Sequence, residues 1–226
     1  RDWSSDVCSS DLSFPGYTIA VLGNHDIWDW VTLTSIPETG SLNQVIYKYR
    51  NMEEKIRKNN KNFFLLHNDV LLFKNNEPKM ISGYEFMDRN KYGLRSEFNS
   101  TDFFFFGSMG FAGRNNNFNI NSGMYRGIIK NRHEEILESS YCNMIYQKIK
   151  DVTINKYGHY GNGVIVTHMP KKDWCSDTRY VSDWIYVSGH THKNYCSIDT
   201  NHTIFSDNQI GYYTKKMKMK EFDLPY

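Results

Sequence analysis

A mixed α/β domain is the fold class that the sequence predicts, on three observations. Short runs of β-branched and aromatic residues, each of strand length, are interspersed with two longer stretches of helical apolar period. Three of the short runs follow one order, an apolar run, then Gly or Thr, then His: "YTIAVLGNHD", "GVIVTHMP" and "DWIYVSGHTH". The 226 residues suffice for one domain with a proper core, and no internal repeat or linker divides them.

Each of the three runs reads as a buried strand that ends at its carboxyl side. In open α/β sheets, ligands collect beyond the carboxyl ends of strands, so three such ends carrying polar side chains point to one shared site. Between the first and second runs, "SLNQVIYKYRNMEEKIRKNN" places Leu42, Val45, Ile46, Met52 and Ile56 at roughly helical spacing and predicts a helix. "DVLLFKNNEPKMISGYEF" predicts two strands around an Asn-Asn-Glu-Pro turn. "DFFFFGSMG" predicts a further strand leading into the polar, Gly-punctuated loop "FAGRNNNFNINSG", and "HEEILESSYCNMIYQKIKDV" predicts a second helix. After the last His pair, "NYCSID", "HTIFSDN" and "MKMKEFDL" are short strand candidates.

The opening stretch from Asp2 to Leu12, "DWSSDVCSSDL", resembles a translated sequencing adapter. The expectation is that residues 1–12 are an artefactual segment and residues 13–226 a partial domain whose true N-terminus is missing. The chain carries a net charge of +2, and setting Arg1 against Asp2, Asp6 and Asp11 leaves the remainder at +4. Part of that excess sits in the tail "KKMKMKEF", which reads as a solvated strand and not as a nucleic-acid patch. Cys8 falls in the opening stretch, and Cys142, Cys175 and Cys196 show no C-x-x-C spacing. That usage argues for a reducing, cytoplasmic compartment and against a disulfide frame or a zinc knuckle. The apolar run around "DFFFFGSMGF" is far shorter than the ~20 residues a membrane span needs.

The chemistry-bearing residues lie at the three strand ends. Gly23 lets the chain turn sharply off its strand, and Asn24, His25 and Asp26 follow it. Asn offers a neutral oxygen to a cation, His an imidazole, and Asp can hold that imidazole in one tautomer. His190 and His192 stand two apart, so an extended segment would aim both to one side. Such a pair suits two cations ~3.5–4 Å apart. His168 ends its strand in a parallel position and makes a third member. His67, His133, His159 and His202 read as surface residues, and Trp28, Trp30 and Trp174 as packing aromatics.

"GNHD", "THMP" and "SGHTH", in that order after three strands, resemble the third, fourth and fifth blocks of the calcineurin-like metallophosphoesterases, over about Tyr17 to Tyr213. The resemblance implies a four-layer α/β/β/α sandwich lacking its first strand or strands, and a centre of two divalent metal ions, Mn, Fe or Zn. It implies that Asn24, His168 and His190 bind the second metal and His192 the first, with His25 as general acid or charge stabiliser oriented by Asp26. The implied reaction is in-line attack by a metal-bridging hydroxide on a phosphorylated substrate, monoester, diester or pyrophosphate. The family pattern opens with D-x-H and then G-D-x-x-D, yet Ser13 to Leu22 contain no carboxylate and no His. The expectation is a parent hydrolase, with the chain as it stands inactive. The alternative is a non-catalytic binding or scaffold module on the same fold. A metallo-β-lactamase-like site would need H-x-H-x-D-H, a pattern that "GHTHKNY" breaks after its second His.

Overall fold

A computed structural model describes residues 16–27, 41–116, 125, 127–155, 157–191, 195–198 and 203–207. The opening stretch to residue 12, Trp28, Trp30, His192, His202 and the "MKMKEFDL" strand candidate lie outside the described residues. Within them the fold is mixed α/β, with helices on two sheets.

Strand β1 (Thr18–Val21) is followed by helix α1 (Leu42–Arg57) and strand β2 (Phe63–Leu66), and the two strands pair in parallel, Thr18 opposite Phe63 and Val21 opposite Leu66. Helix α1 starts at a capping box. The Ser41 hydroxyl accepts the Gln44 N–H, and the Gln44 side chain accepts the Ser41 N–H at 3.0 Å. Of the predicted apolar stripe, Leu42 and Val45 are buried, whereas Met52 faces solvent. Ile46, Tyr49 and Ile56 pack on Ala20, Leu22, Phe63 and Leu65 at one face of the small sheet.

A second sheet follows the order β4-β3-β5-β6-β7-β9-β8. Its first three strands are β3 (Asp69–Lys74), β4 (Glu77–Ile81) and β5 (Phe103–Ser108). The others are β6 (Gly163–Thr167), β7 (Ile185–Ser188), β8 (Tyr195–Ile198) and β9 (Ile204–Asp207). Strands β5, β6, β7 and β9 run parallel to one another, and β3, β4 and β8 add antiparallel pairs at the flanks. The β3–β4 hairpin closes through Asn75 and Asn76, both left-handed (φ 51° and 63°), as a two-residue type I′ connection requires. Pro78, which has no N–H to give a ladder, sits in edge strand β4.

Two short helices, α2 (Gly83–Asp88) and α3 (Lys91–Phe98), stand where the sequence predicted no helix; their N-caps Ser82 and Asn90 were the available signal. Helix α4 (Arg132–Thr153) is capped by Asn131, and α5 (Lys171–Trp174) is a single turn after Pro170. Among the described residues no helix is long and apolar enough to cross a membrane.

The Phe run of β5 shows how one strand serves two layers, since successive side chains point to opposite faces. Phe104 and Phe106 join Phe86, Leu94, Phe98, Ile145, Tyr146 and Ile149 of α2, α3 and α4. Phe103 and Phe105 face the other way, with Leu71 and Phe73, against Ile19, Val21, Phe64 and Leu66 of the small sheet. Gly107 sets how closely the sheets approach: a Cβ there would lie 2.3 Å from the Leu66 Cβ. Beside it the Ser108 hydroxyl donates to Asn68 Oδ1 at 2.7 Å, inside the fold.

A charged cluster fastens α1 to the crossover between the sheets. The Arg50 guanidinium bonds the carboxylates of Glu53 and Asp69 and the Leu65 carbonyl. Glu53 also accepts the Leu65 N–H at 3.1 Å, and Asp69 accepts the His67 N–H at 2.7 Å and the Gly83 N–H at 3.3 Å. Both carboxylates are buried, so their several donors offset the loss of water.

Gly107→Ala is expected to destabilise the chain by about 1–3 kcal/mol, because Leu66 has no room to yield without parting the sheets. Urea unfolding at neutral pH measures it; an unchanged midpoint would show that the contact is not tight.

Candidate metal centre

The parallel strands end on one edge, and the side chains that meet there come from both sheets. After β1 the chain turns at Gly23 into a helical turn over 24–27. The Asp26 carboxylate accepts the Gly23 N–H at 2.6 Å, and Tyr49 of α1 donates to the Asp26 carbonyl at 3.1 Å. This places Asn24 inside, only 4% exposed, and leaves His25 on the outside.

His168 follows β6, its N–H bonded to the Ser108 carbonyl at 3.2 Å and its carbonyl accepting the Gly189 N–H at 3.1 Å. Its ring fits against Gly23, where a Cβ would lie 3.0 Å from Nδ1. Its Nε2 sits 2.7 Å from Asn24 Oδ1 and 3.2 Å from His190 Nδ1, with the two imidazoles edge-to-face at 5.1 Å.

His190 is reached by an unusual backbone. Its φ is 63°, and the Thr191 N–H bonds the Gly189 carbonyl at 2.7 Å, closing a three-residue turn. The expectation of an extended Gly-His-Thr-His segment is therefore corrected. The strand stops at Ser188 and the chain bends at His190, so two-residue alternation does not govern where the next His points. A left-handed His costs backbone energy, and such strain persists where surrounding contacts over-determine it.

Of the predicted residues, Asn24, His168 and His190 are brought together, His25 and Asp26 flank them on the turn, and His192 lies outside the described residues. Asp26 is held by the Gly23 N–H, the contact that shapes the turn. Cys175 is buried on the helix side, where its sulfur accepts from the Gln147 amide at 3.6 Å. Trp174 is a packing residue as predicted, its ring N–H donating to the Met169 carbonyl at 3.1 Å.

The donor set suits a cation. One amide oxygen and two imidazole nitrogens crowd around a single point, and one proton on His168 Nε2 can serve only one of its two neighbours. A divalent ion would take a lone pair from all three, and mixed N/O ligation fits Mn, Fe or Zn. Among the described residues no group of three or more His, Cys, Asp or Glu side chains could hold a metal, because here the third donor is an amide.

His67, predicted as a surface residue, is instead half-buried at the carboxyl end of β2, edge-on to Phe111 at 6.5 Å. Its Nδ1 is enclosed, with no hydrogen-bond partner among the described residues. Burial first, and the Arg50 charge second, push its imidazole down from 6.5 to about 4. The sequence signal is its place at the end of "NFFLLH", an apolar run of strand length.

No family model, curated protein or solved structure matches the chain.

Two predictions rest on this geometry. His190→Gly is expected to keep or raise stability, by up to about 1 kcal/mol, because Gly adopts positive φ freely. It should also remove a cation donor, so thermal unfolding and Mn²⁺ titration should move in opposite directions. His67 is neutral in the folded chain while the unfolded chain takes up its proton below 6.5. Stability is thus full above pH 6.5, falls as pH drops toward about 4, and has lost about 3 kcal/mol once below it. Urea unfolding between pH 7 and 4 should show this slope flattened in His67→Leu.

Proposed function

We propose that this chain is part of a metal-dependent phosphoester hydrolase with a dinuclear centre, built on the four-layer α/β/β/α sandwich of the calcineurin-like metallophosphoesterases. The observation that carries the reading is the meeting of Asn24 Oδ1, His168 Nε2 and His190 Nδ1 within 2.7 and 3.2 Å at the carboxyl ends of three strands. The three blocks noted in the sequence thus supply one cluster from two different sheets. The stacking of α1, the small sheet, the large sheet and α2–α4 supports the four-layer reading.

In this proposal Asn24, His168 and His190 hold one cation and His192 belongs to a second. When bound, such ions supply an activated water and neutralise charge on the phosphoryl oxygens. His25, exposed beside Asn24, would meet a leaving-group oxygen and give it a proton. Asp26 serves by fixing the turn that presents His25, through its bond to the Gly23 N–H. Ser13 to Leu22 bring no carboxylate to bridge two cations, so a bridging ligand would have to come from elsewhere.

The test has two arms. Titration with Mn²⁺ is expected to give one site, weakened at least about 10-fold in His168→Ala and in Asn24→Ala. Sequencing the source DNA upstream of the Ser13 codon is expected to find D-x-H and then G-D-x-x-D in a continuous frame. An intact upstream frame without those carboxylates would overturn the hydrolase and leave the non-catalytic module.

A further inference from the structure

Helix α4 buries one side in the core and turns an apolar side, with no charge along its middle, to the outside. We propose that this outward stripe is a self-association surface. A second copy of the chain packs its own α4 there, antiparallel, across a two-fold axis at Ser140. The inference is independent of the metal centre.

Six residues of α4 are exposed: His133, Ile136, Leu137, Ser140, Met144 and Asp151. At about 100° per residue the six fall on one side of the helix. Cys142, Ile145, Tyr146 and Ile149 fall on the other side and are fully buried. A surface helix ordinarily turns charged residues away from its core face. Here none of the exposed residues between His133 and Asp151 is charged, and Ile136, Leu137 and Met144 are 41%, 53% and 51% exposed.

The charged side chains of the helix are engaged elsewhere. Arg132 bonds Glu135 and the Ala112 carbonyl of the loop after β5. Lys148 donates to the Met87 and Arg89 carbonyls at 2.8 and 2.7 Å, and so caps the end of α2. Lys150 pairs with Asp177, and Glu134 accepts the Lys130 N–H at 2.7 Å. A continuous apolar stripe on an outer surface is the kind of patch that marks a contact with another molecule.

The spacing says which molecule. Ile136 and Met144 stand four residues before and four residues after Ser140, with Leu137 beside the first. In an antiparallel pair of helices, residues equidistant from the axis come level. Ile136 and Leu137 of each copy then meet Met144 of the other. Ser140, small and exposed at the axis, lets the two helices approach closely. The ends meet with opposite charge: Lys130 stands ten residues before Ser140 and Asp151 eleven after it, both exposed. Asp151 pairs with Lys91 at 3.0 Å, an exposed contact that a second cation can share at little cost. A second copy presents the same side chains and charges in reverse order, and such isologous contacts are the commonest in soluble oligomers. One helix from each copy makes a small interface, so a dissociation constant on the order of 10 µM is expected.

The experiment is sedimentation equilibrium between about 1 and 200 µM chain, a range that brackets this affinity. Expected is a reversible dimer of the 26.7 kDa chain. Leu137→Glu, which places a charge in the stripe of both copies, should weaken it at least about 10-fold at an unchanged unfolding midpoint. A residue at a two-fold axis meets its own counterpart. Ser140→Cys, in a chain with Cys8 and Cys196 replaced by Ser, should therefore form a disulfide-linked dimer under mild oxidation. Cys142 and Cys175 are buried and can stay. Tyr92→Cys, 86% exposed on α3 and off the stripe, should not cross-link. A chain that stays monomeric throughout this range overturns the inference, including one that binds anionic phosphatidylglycerol vesicles, which would give the stripe to a membrane. A dimer that Leu137→Glu leaves intact, or that Ser140→Cys fails to cross-link, overturns the two-fold packing of α4.

Discussion

The candidate centre depends on how closely the two sheets approach at one point. Asn24 comes from the small sheet, whereas His168 and His190 come from the large one. They meet where Gly107 on β5 presents no side chain to Leu66 on β2, so that the two sheets approach closely, and the buried Ser108–Asn68 bond ties the β2–β3 crossover to the end of β5. A Cβ at Gly107 would lie 2.3 Å from the Leu66 Cβ, so the layer between the sheets would have to shift. Donor atoms standing 2.7 and 3.2 Å apart cannot absorb such a shift. Packing in the layer between the sheets and donor geometry at their edge are therefore one constraint.

Around that contact, the polar groups form supports with distinct tasks. The Arg50–Glu53–Asp69 cluster holds α1 to the crossover and gives Asp69 the N–H groups of His67 and Gly83. Asp26 folds the turn that carries Asn24 inward and His25 outward. Arg132, Tyr125, Ser139 and Asp173 hold the loop after β5. Among the described residues, Phe111 and His190 take left-handed backbone beside this edge. A rigid scaffold that pays for local strain is the general condition for placing side chains on loops with accuracy.

Much of the architecture was legible along the chain, for particular reasons. The runs ending at Gly23, His168 and Gly189 are dense in β-branched residues and bounded by turn residues, and all three are parallel strands. The periodic stretches around Val45 and Ile145 are helices with Ser41 and Asn131 as caps. "NFFLLH" escaped because a short apolar run carries no period of its own, and the strand is defined by its pairing with β1. Helices α2 and α3 are too short for a periodic signal, and only Ser82 and Asn90 mark their starts. The environment of His67 is not legible locally, because the Phe111 ring against it and the Arg50 charge acting on it come from residues distant in sequence.

By itself, then, the sequence determined the class of the fold, the three strand ends and the identity of Asn24, His168 and His190 as metal-capable side chains. These are local properties: periodicity, turn chemistry and the donor atoms a residue carries. Only the tertiary structure decided that the three meet at one point, that His190 arrives on a left-handed backbone, and that the loop after β5 is anchored on α4 and α5. Those outcomes depend on the contact between two sheets and on strain relieved by partners far along the chain, and no local pattern encodes a distance between residues 24, 168 and 190.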